Sequence, residues 1–278
     1  MKACRLGEFY ACPSARFEDC EMTAIAAVKA PWGVLLAADG RMNLDGDKEP
    51  ITDYAQKIFS IIDPGRTVAY ALAGSIRAKG SGLDIREEFH RQISTLSDRV
   101  FGAPYEYASA IGQPVASVIT SARYLPKSSG KAEGGKWKIA DVILAGCFGP
   151  LVFLIESEFV HSHNVAEFRI LGYYEKSYSV LYGPQAISRN MYCSPPVDSP
   201  LSKYIFDINS TGGNPSVSEA QRYAVGYIEA CCSPMGRKLD PEGCRSIGGH
   251  IHVATVKPRS GFQWVIPPLH GQKTEDSL

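Results

Sequence analysis

The sequence predicts an α+β fold in which antiparallel sheets stack on each other and helical layers cover them. Three observations point there. The strands come as adjacent pairs joined by short Gly/Pro turns. The helices come in pairs between groups of strands. No GxGxxG segment and no regular strand-helix alternation suggests a parallel, doubly wound sheet.

The first strand pair lies in MTAIAAVKAPWGVLLAADG, Met22 to Gly40, where two apolar runs flank a Pro31-Trp32-Gly33 turn. The second run stops on a carboxylate, Asp39. A polar loop, GRMNLDGDKEPITDYAQ, leads to a second pair, KIFSII from Lys57 and TVAYALAGS ending at Ser75. Ile85, Phe89, Ile93, Leu96 and Val100 recur at spacings of three and four, one face of a helix. Asp84 and Glu87 make a capping box at its start, and the pattern allows an earlier start near Ile76. Val115 to Ala122 predicts a second helix, and KSSGKAEGGK, Lys127 to Lys136, reads as a loop. Strands resume at KIADVILAGC and PLVFLIES, then at FRILG and YSVLYG, and a helix is expected over Gln185 to Tyr192. Ser216 to Cys232 carries the clearest helical pattern. Ser216 and Glu219 form its capping box, and Val217, Ala220, Ala224, Tyr227, Ile228 and Cys231 share a face. Two strands, GHIHVATV and GFQWVIP, precede a polar tail, GQKTEDSL.

Composition narrows the function classes. The 278 residues carry 29 basic and 29 acidic side chains, so no excess charge points to nucleic acid or an anionic membrane. A hydrophobic share of 45% and a charged share of 21% are those of an ordinary globular protein. The first twenty residues lack the apolar core of a secretory signal, and the longest apolar run, Ile139 to Ile155, is broken by Asp141 and Gly149-Pro150. That run reads as two buried strands, not a membrane span. Eight cysteines without a CxxC pair fit reduced thiols, and a cytoplasmic location is expected.

Several of these segments together resemble the proteasome β-subunit family of N-terminal nucleophile (Ntn) hydrolases and the related bacterial proteasome-type peptidase subunits. The resemblance is carried by TAIAAVKAPWGVLLAADGR, QKIFSI, YALAGS, DVILAGCFGPLVFLIE and SIGGHIHVATV, from Thr23 to about Val265. Thr23, Gly33 and Asp39 keep the family spacing without a gap, and Lys57 matches the family lysine. The resemblance implies a four-layer αββα sandwich of two antiparallel sheets. Residues 1–22 would be a leader or a start assigned too early, 23–267 the hydrolase domain and 268–278 a polar tail. It implies Thr23, Asp39 and Lys57 as catalytic residues, Gly74 as the oxyanion donor, and Ile76 and Asn43 as substrate-binding residues. It implies no cofactor and no metal. The partners would be a peptide or unfolded protein substrate, copies of the chain in a homo-oligomeric ring, and a separate ATPase or other regulator.

The chemistry can be argued beside the resemblance. A threonine hydroxyl is a poor nucleophile until a base takes its proton, and a free α-amine on the same residue can serve. Such an amine has a reference pKa of about 7.7–8.0. A nearby ammonium, Lys57, would disfavour the protonated amine, and Asp39 would hold Lys57 in place. Gly74 would let a substrate approach the backbone closely. Taken singly, a threonine opening a strand is a β-former and an aspartate closing one is a turn residue. Only the three residues together with the surrounding family resemblance point to a site. Arg41 reads either as a further support or as a packing arginine.

The pattern departs from the family in four places. Tyr182 in VLYGPQ stands for a supporting serine, and Cys244 and Ile247 stand for an aspartate and a serine, with Ser246 one residue off. Met22 stands for the glycine before the threonine. Its peptide bond must be cleaved, or Met22 must be the initiator, before Thr23 has a free amine. Two functions therefore stay open: a threonine peptidase, or a non-catalytic proteasome-like subunit with an assembly or binding role. A third reading, a metal site at His161-Ser-His163 or His250-Ile-His252, rests only on the two-residue spacing that puts both imidazoles on one strand face.

Overall fold

The apolar runs of the first hairpin show no polar alternation because both of its faces are covered. A computed structural model describes residues 23–43, 50–63, 66–74, 77–78, 83–122, 137–192 and 199–269. In it β1 (Ile25–Ala30) and β2 (Gly33–Ala38) are buried along their whole length. Ala24, Ala26, Val28, Leu35 and Ala37 face one apolar layer, while Ile25, Ala27, Val34, Leu36 and Ala38 face another. An antiparallel sheet with one wet face would alternate polar and apolar residues; this one is sandwiched.

The remaining strands are β3 (Met42–Asn43), β4 (Pro50–Thr52), β5 (Ile58–Asp63), β6 (Arg66–Gly74), β7 (Arg77–Ala78), β8 (Leu83–Asp84), β9 (Trp137–Phe148), β10 (Leu151–Ser162), β11 (Val165–Tyr174), β12 (Tyr178–Tyr182), β13 (His252–Lys257) and β14 (Gly261–Ile266). Two five-stranded sheets carry the fold, in the orders β12-β1-β2-β13-β14 and β11-β10-β9-β6-β5. Every pairing within them is antiparallel. The run from Ile139 to Ile155 is split between β9 and β10, which turn at Gly149-Pro150.

The outer face of the β5-containing sheet is covered by α1 (Ile85–Thr95) and α2 (Pro104–Ser121), with Phe89, Ile93, Tyr107, Ile111, Phe153 and Phe159 in the shared core. The outer face of the β1-containing sheet is covered by α3 (Gln185–Tyr192), α4 (Val217–Cys232) and α5 (Pro234–Leu239). Between the sheets lies a third apolar layer, including Ile25, Leu36, Ile58, Ile143, Leu154 and Val256. The result is an α+β sandwich in four layers, as the sequence predicts. The capping box of α4 is present, with Ser216 accepting from the Glu219 N–H at 3.3 Å and Glu219 accepting from the Ser216 N–H at 2.8 Å.

Helix α1 begins at the cap the sequence offered: Arg77–Ala78 and Leu83–Asp84 pair as a small antiparallel ribbon, and Asp84 accepts from the Arg86 and Glu87 N–H groups, while Ile76 lies outside the described residues. The helix stops at Thr95, so Val100, in phase with its buried face, lies beyond it and is 94% exposed. The segment expected within the second helix, Val115 to Ala122, directly follows Pro114. A proline there reads as a boundary, yet α2 runs through it from a start at Pro104, where the first-turn position suits proline.

Candidate active site

Asp39 sits where β2 leaves the sheet, fully buried, and both carboxylate oxygens are engaged. Oδ1 accepts from the Ala24 N–H at 3.0 Å and from Lys57 Nζ at 2.9 Å. Oδ2 accepts from the Gly248 N–H at 3.1 Å and the Arg41 N–H at 3.3 Å. A buried carboxylate is tolerable only with such partners, and four donors from three chain segments fix this one in position. The Lys57 ammonium bridges onward, donating to Thr23 Oγ1 at 3.2 Å. Thr23, Lys57 and Asp39 thus form one continuous hydrogen-bonded line.

The register explains why these residues meet. Ile25 pairs with Ala38 in the first hairpin, so the residue before β1 and the residue after β2 share one end. Ile58 pairs with Ala71, which brings Lys57, just before β5, and Gly74, the last residue of β6, to the same rim of the other sheet. Asn43 ends the short β3 and pairs with Pro50; its side chain, and all of Ile76, lie outside the described residues.

Three supports surround this line, of which the sequence offered Arg41. His252 on β13 is buried, and its Nε2 accepts the Lys57 backbone N–H at 3.1 Å. Burial first, and the Lys57 ammonium second, push this imidazole down to about 4, so it is neutral and can accept. Its spacing from His250 suggested a metal pair, but His250 Nε2 faces the Pro267 carbonyl at 2.9 Å instead. His161 is buried on β10 and His163 lies in the following turn. Among the described residues no group of three His, Cys, Asp or Glu is arranged to hold a metal. Arg41 is the second support. It forms a two-point ion pair with Asp53 (2.7 and 3.3 Å), and Asp53 accepts the His250 N–H through its carbonyl at 2.8 Å. This pins the loop that carries Gly248 to Asp39.

Gly183 is the third. It follows β12 with φ +136, and a Cβ there would lie 3.2 Å from the Thr23 carbonyl oxygen and 2.6 Å from the Tyr227 hydroxyl. Glycine is required both for the backbone conformation and for this approach. The VLYGPQ segment therefore reaches the threonine, but the Tyr182 side chain bonds Glu156 of the opposite sheet. Cys244 and Ile247 are fully buried in the apolar layer beneath α4. The described cysteines, Cys147, Cys231, Cys232 and Cys244, are free thiols. Among the described residues no helix is long and apolar enough to cross a membrane.

No family model matches the chain, and no curated protein matches it. Among solved structures it is similar to Anbu (ancestral beta-subunit) from Yersinia bercovieri, with 13% identity over 88% of each chain and a TM-score of 0.50. It is also similar to an Anbu mutant from Hyphomicrobium sp. strain MC1, with 15% identity over 84% of this chain and 81% of that one, and a TM-score of 0.48. At such identity the likeness is one of fold. It corrects the family reading: the neighbours are Anbu proteins, proteasome-like but distinct from the proteasome β-subunit family named from the motifs. The Thr23, Gly33, Asp39 and Lys57 match rests on the first hairpin and one strand of the facing sheet, so it does not separate one family of such a sandwich from another. The chain has an α+β sandwich fold similar to that of Anbu.

Proposed function

We propose that the protein is a threonine peptidase that hydrolyses peptide bonds with Thr23 as an N-terminal nucleophile, acting on peptide or unfolded protein substrates inside an oligomeric ring. The observation that carries this reading is the Lys57 ammonium placed between Thr23 Oγ1 (3.2 Å) and Asp39 Oδ1 (2.9 Å). A surface threonine has no need of a buried ion pair aimed at its hydroxyl.

The mechanism begins when the Met22–Thr23 bond is gone, by processing or by removal of Met22 as an initiator. The freed α-amine takes the Thr23 hydroxyl proton as Oγ1 attacks the substrate carbonyl. Lys57 donates to Oγ1 and favours the neutral amine that acts as base. The Gly74 backbone N–H is the proposed donor to the oxyanion. The protonated amine then returns its proton to the leaving nitrogen, which departs and leaves an ester on Thr23. Water, deprotonated by the same amine, attacks the ester and releases the acid product with the threonine restored.

Intact mass identifies the preparation that starts at Thr23. On a mixed peptide pool this parent should turn over substrate while Thr23→Ala, of matched start and assembly, does not. Mass photometry should find a closed oligomer in both. Equal background turnover in the two, with assemblies intact, would favour the second reading, a non-catalytic subunit. One observation supports that reading: Cys244 and Ile247 are packed away in an apolar layer and supply no polar group to the amine.

A further inference from the structure

Strand β12 is an edge of the sheet that leads from Thr23, and an edge strand has one row of backbone groups without a neighbouring strand. Tyrosine hydroxyls take that place. Tyr192 on α3 accepts from the Leu181 N–H at 3.1 Å and donates to the Ser179 carbonyl at 3.4 Å. Tyr227 on α4 donates to the Tyr182 carbonyl at 3.0 Å. A further contact crosses the sandwich. The Tyr182 hydroxyl donates to Glu156 Oε2 on β10 at 3.3 Å, and Glu156 Oε1 accepts from Tyr174 of β11 at 2.9 Å.

This arrangement has space built for it. Gly172 pairs with Glu156 across β10 and β11, and a Cβ on Gly172 would lie 2.4 Å from the Tyr174 hydroxyl. The absent side chain is what lets Tyr174 reach the carboxylate. Burial pushes the Glu156 carboxyl up, while the two hydroxyls work the other way by favouring its charged form. Lys138, the nearby cation on β9, bonds Asp141 at 2.8 Å and lies 3.8 Å from Glu158.

We propose that Glu156 is a positioning residue for the Thr23 nucleophile: by holding Tyr182 from the opposite sheet, it sets the Tyr182–Gly183 backbone against Thr23. The inference rests on the reading of Thr23 as a nucleophile. Tyr182 pairs with Ile25, two residues past Thr23, and a Cβ on Gly183 would lie 3.2 Å from the Thr23 carbonyl oxygen. Tilting Tyr182 therefore moves the chain that walls the threonine on the side away from Lys57. Tyr182 is not simply a polar group lost from the site; it carries a contact from the other sheet to the edge of the nucleophile.

The test compares parent, Thr23→Ala, Glu156→Ala, Glu156→Gln, Tyr182→Phe and Tyr174→Phe, all starting at residue 23, by steady-state peptide hydrolysis and thermal melting. Glu156→Ala and Tyr182→Phe should each lower kcat by about tenfold to a hundredfold with KM within about twofold, because the nucleophile is misplaced while substrate contacts are kept. Glu156→Gln keeps a carbonyl and an amide for the two hydroxyls and should stay within about threefold of parent. Tyr174→Phe removes the other hydroxyl of the same carboxylate and should keep at least about a third of parent turnover. Tyr182→Phe deletes one oxygen atom, so it decides the matter even if Glu156→Ala does not fold. Tyr182→Phe at parent kcat, or Tyr174→Phe falling as far as Tyr182→Phe, overturns the positioning role alone. A parent no faster than Thr23→Ala overturns the hydrolase reading and this inference with it.

Discussion

The two sides of Thr23 are built from different materials. On one side stand a lysine, an aspartate and a neutral imidazole, buried and joined by hydrogen bonds of 2.9 to 3.2 Å. On the other stand Gly183 and the tyrosines behind it, neutral hydroxyls at 3.0 to 3.3 Å from their acceptors. The charged side tolerates little loss, since removing one partner leaves the other buried and unpaired. The tyrosine side works through shape: backbone held against backbone, with hydroxyls fixing its distance. The contrast teaches that one residue can be held by charge on one side and by shape on the other.

The largest effect should come from breaking the charged side. Lys57→Ala should lower peptide turnover by about a thousandfold or more, since the residues act as a unit. It should also cost stability of order 3 kcal/mol by chemical denaturation, because Asp39 keeps its backbone donors but loses its counter-ion. Wild-type turnover in that variant would remove the charged side from the chemistry. Gly183→Ala attacks the shape side. The added methyl meets the Thr23 carbonyl and the Tyr227 hydroxyl at a φ of +136, so about 2 kcal/mol of destabilisation and up to about a hundredfold loss of kcat are expected. A variant with parent melting and kinetics would show that this wall has slack, and the comparison would fail.

A pH series separates the two sides more finely. His252 is depressed to about 4, against an ordinary value of 6.5, so the unfolded chain takes up the proton first as pH falls. Its stabilising contribution is whole above about pH 6.5 and is lost progressively down to pH 4, a swing of order 3 kcal/mol. The raised carboxyls of Glu156 and Asp141 act oppositely, because there the folded state takes up the proton first. The difference between parent and His252→Gln, melted at pH 7 and 4.5, isolates the imidazole, and the parent should lose more. Equal losses would mean that the ring is not held neutral against Lys57. The smallest effect belongs to Arg41→Lys, which keeps charge but loses the two-point grip on a partly exposed Asp53. A change of about 0.5 kcal/mol and turnover within about threefold are expected, by the same assays.

How far the sequence could be read follows the distance over which each feature is encoded. Helix α4 was legible because Ser216 and Glu219 are three residues apart and its buried face repeats within one element. The α1 face was overextended to Val100 because phase continues in a sequence where the chain has already turned. The register of the first hairpin puts Ala24 beside Asp39, whereas Lys57, at the rim of the other sheet, was offered only by the resemblance. His252 and Glu156 were not legible. His252 meets Lys57, and Glu156 meets Tyr182, only across separate strands, and nothing near either residue in the chain announces its partner.

By itself the sequence determined the antiparallel pairs, the helical layers that cover them, and the hairpin that puts a threonine and an aspartate at one end. These depend on periodicity and turn chemistry, which act between near neighbours in the chain. The tertiary structure alone decided that Asp39 would have four donors, that His252 would be a neutral support rather than a ligand, and that Tyr182 would reach into the other sheet. It also corrected the family reading, because several families can share the spacing of one hairpin, whereas the fold of the whole chain is similar to that of Anbu. The physical reason is common to all of these. A hydrogen bond between residues far apart in sequence exists only after both sheets have been built and stacked, and which side chains face one another is then settled by packing.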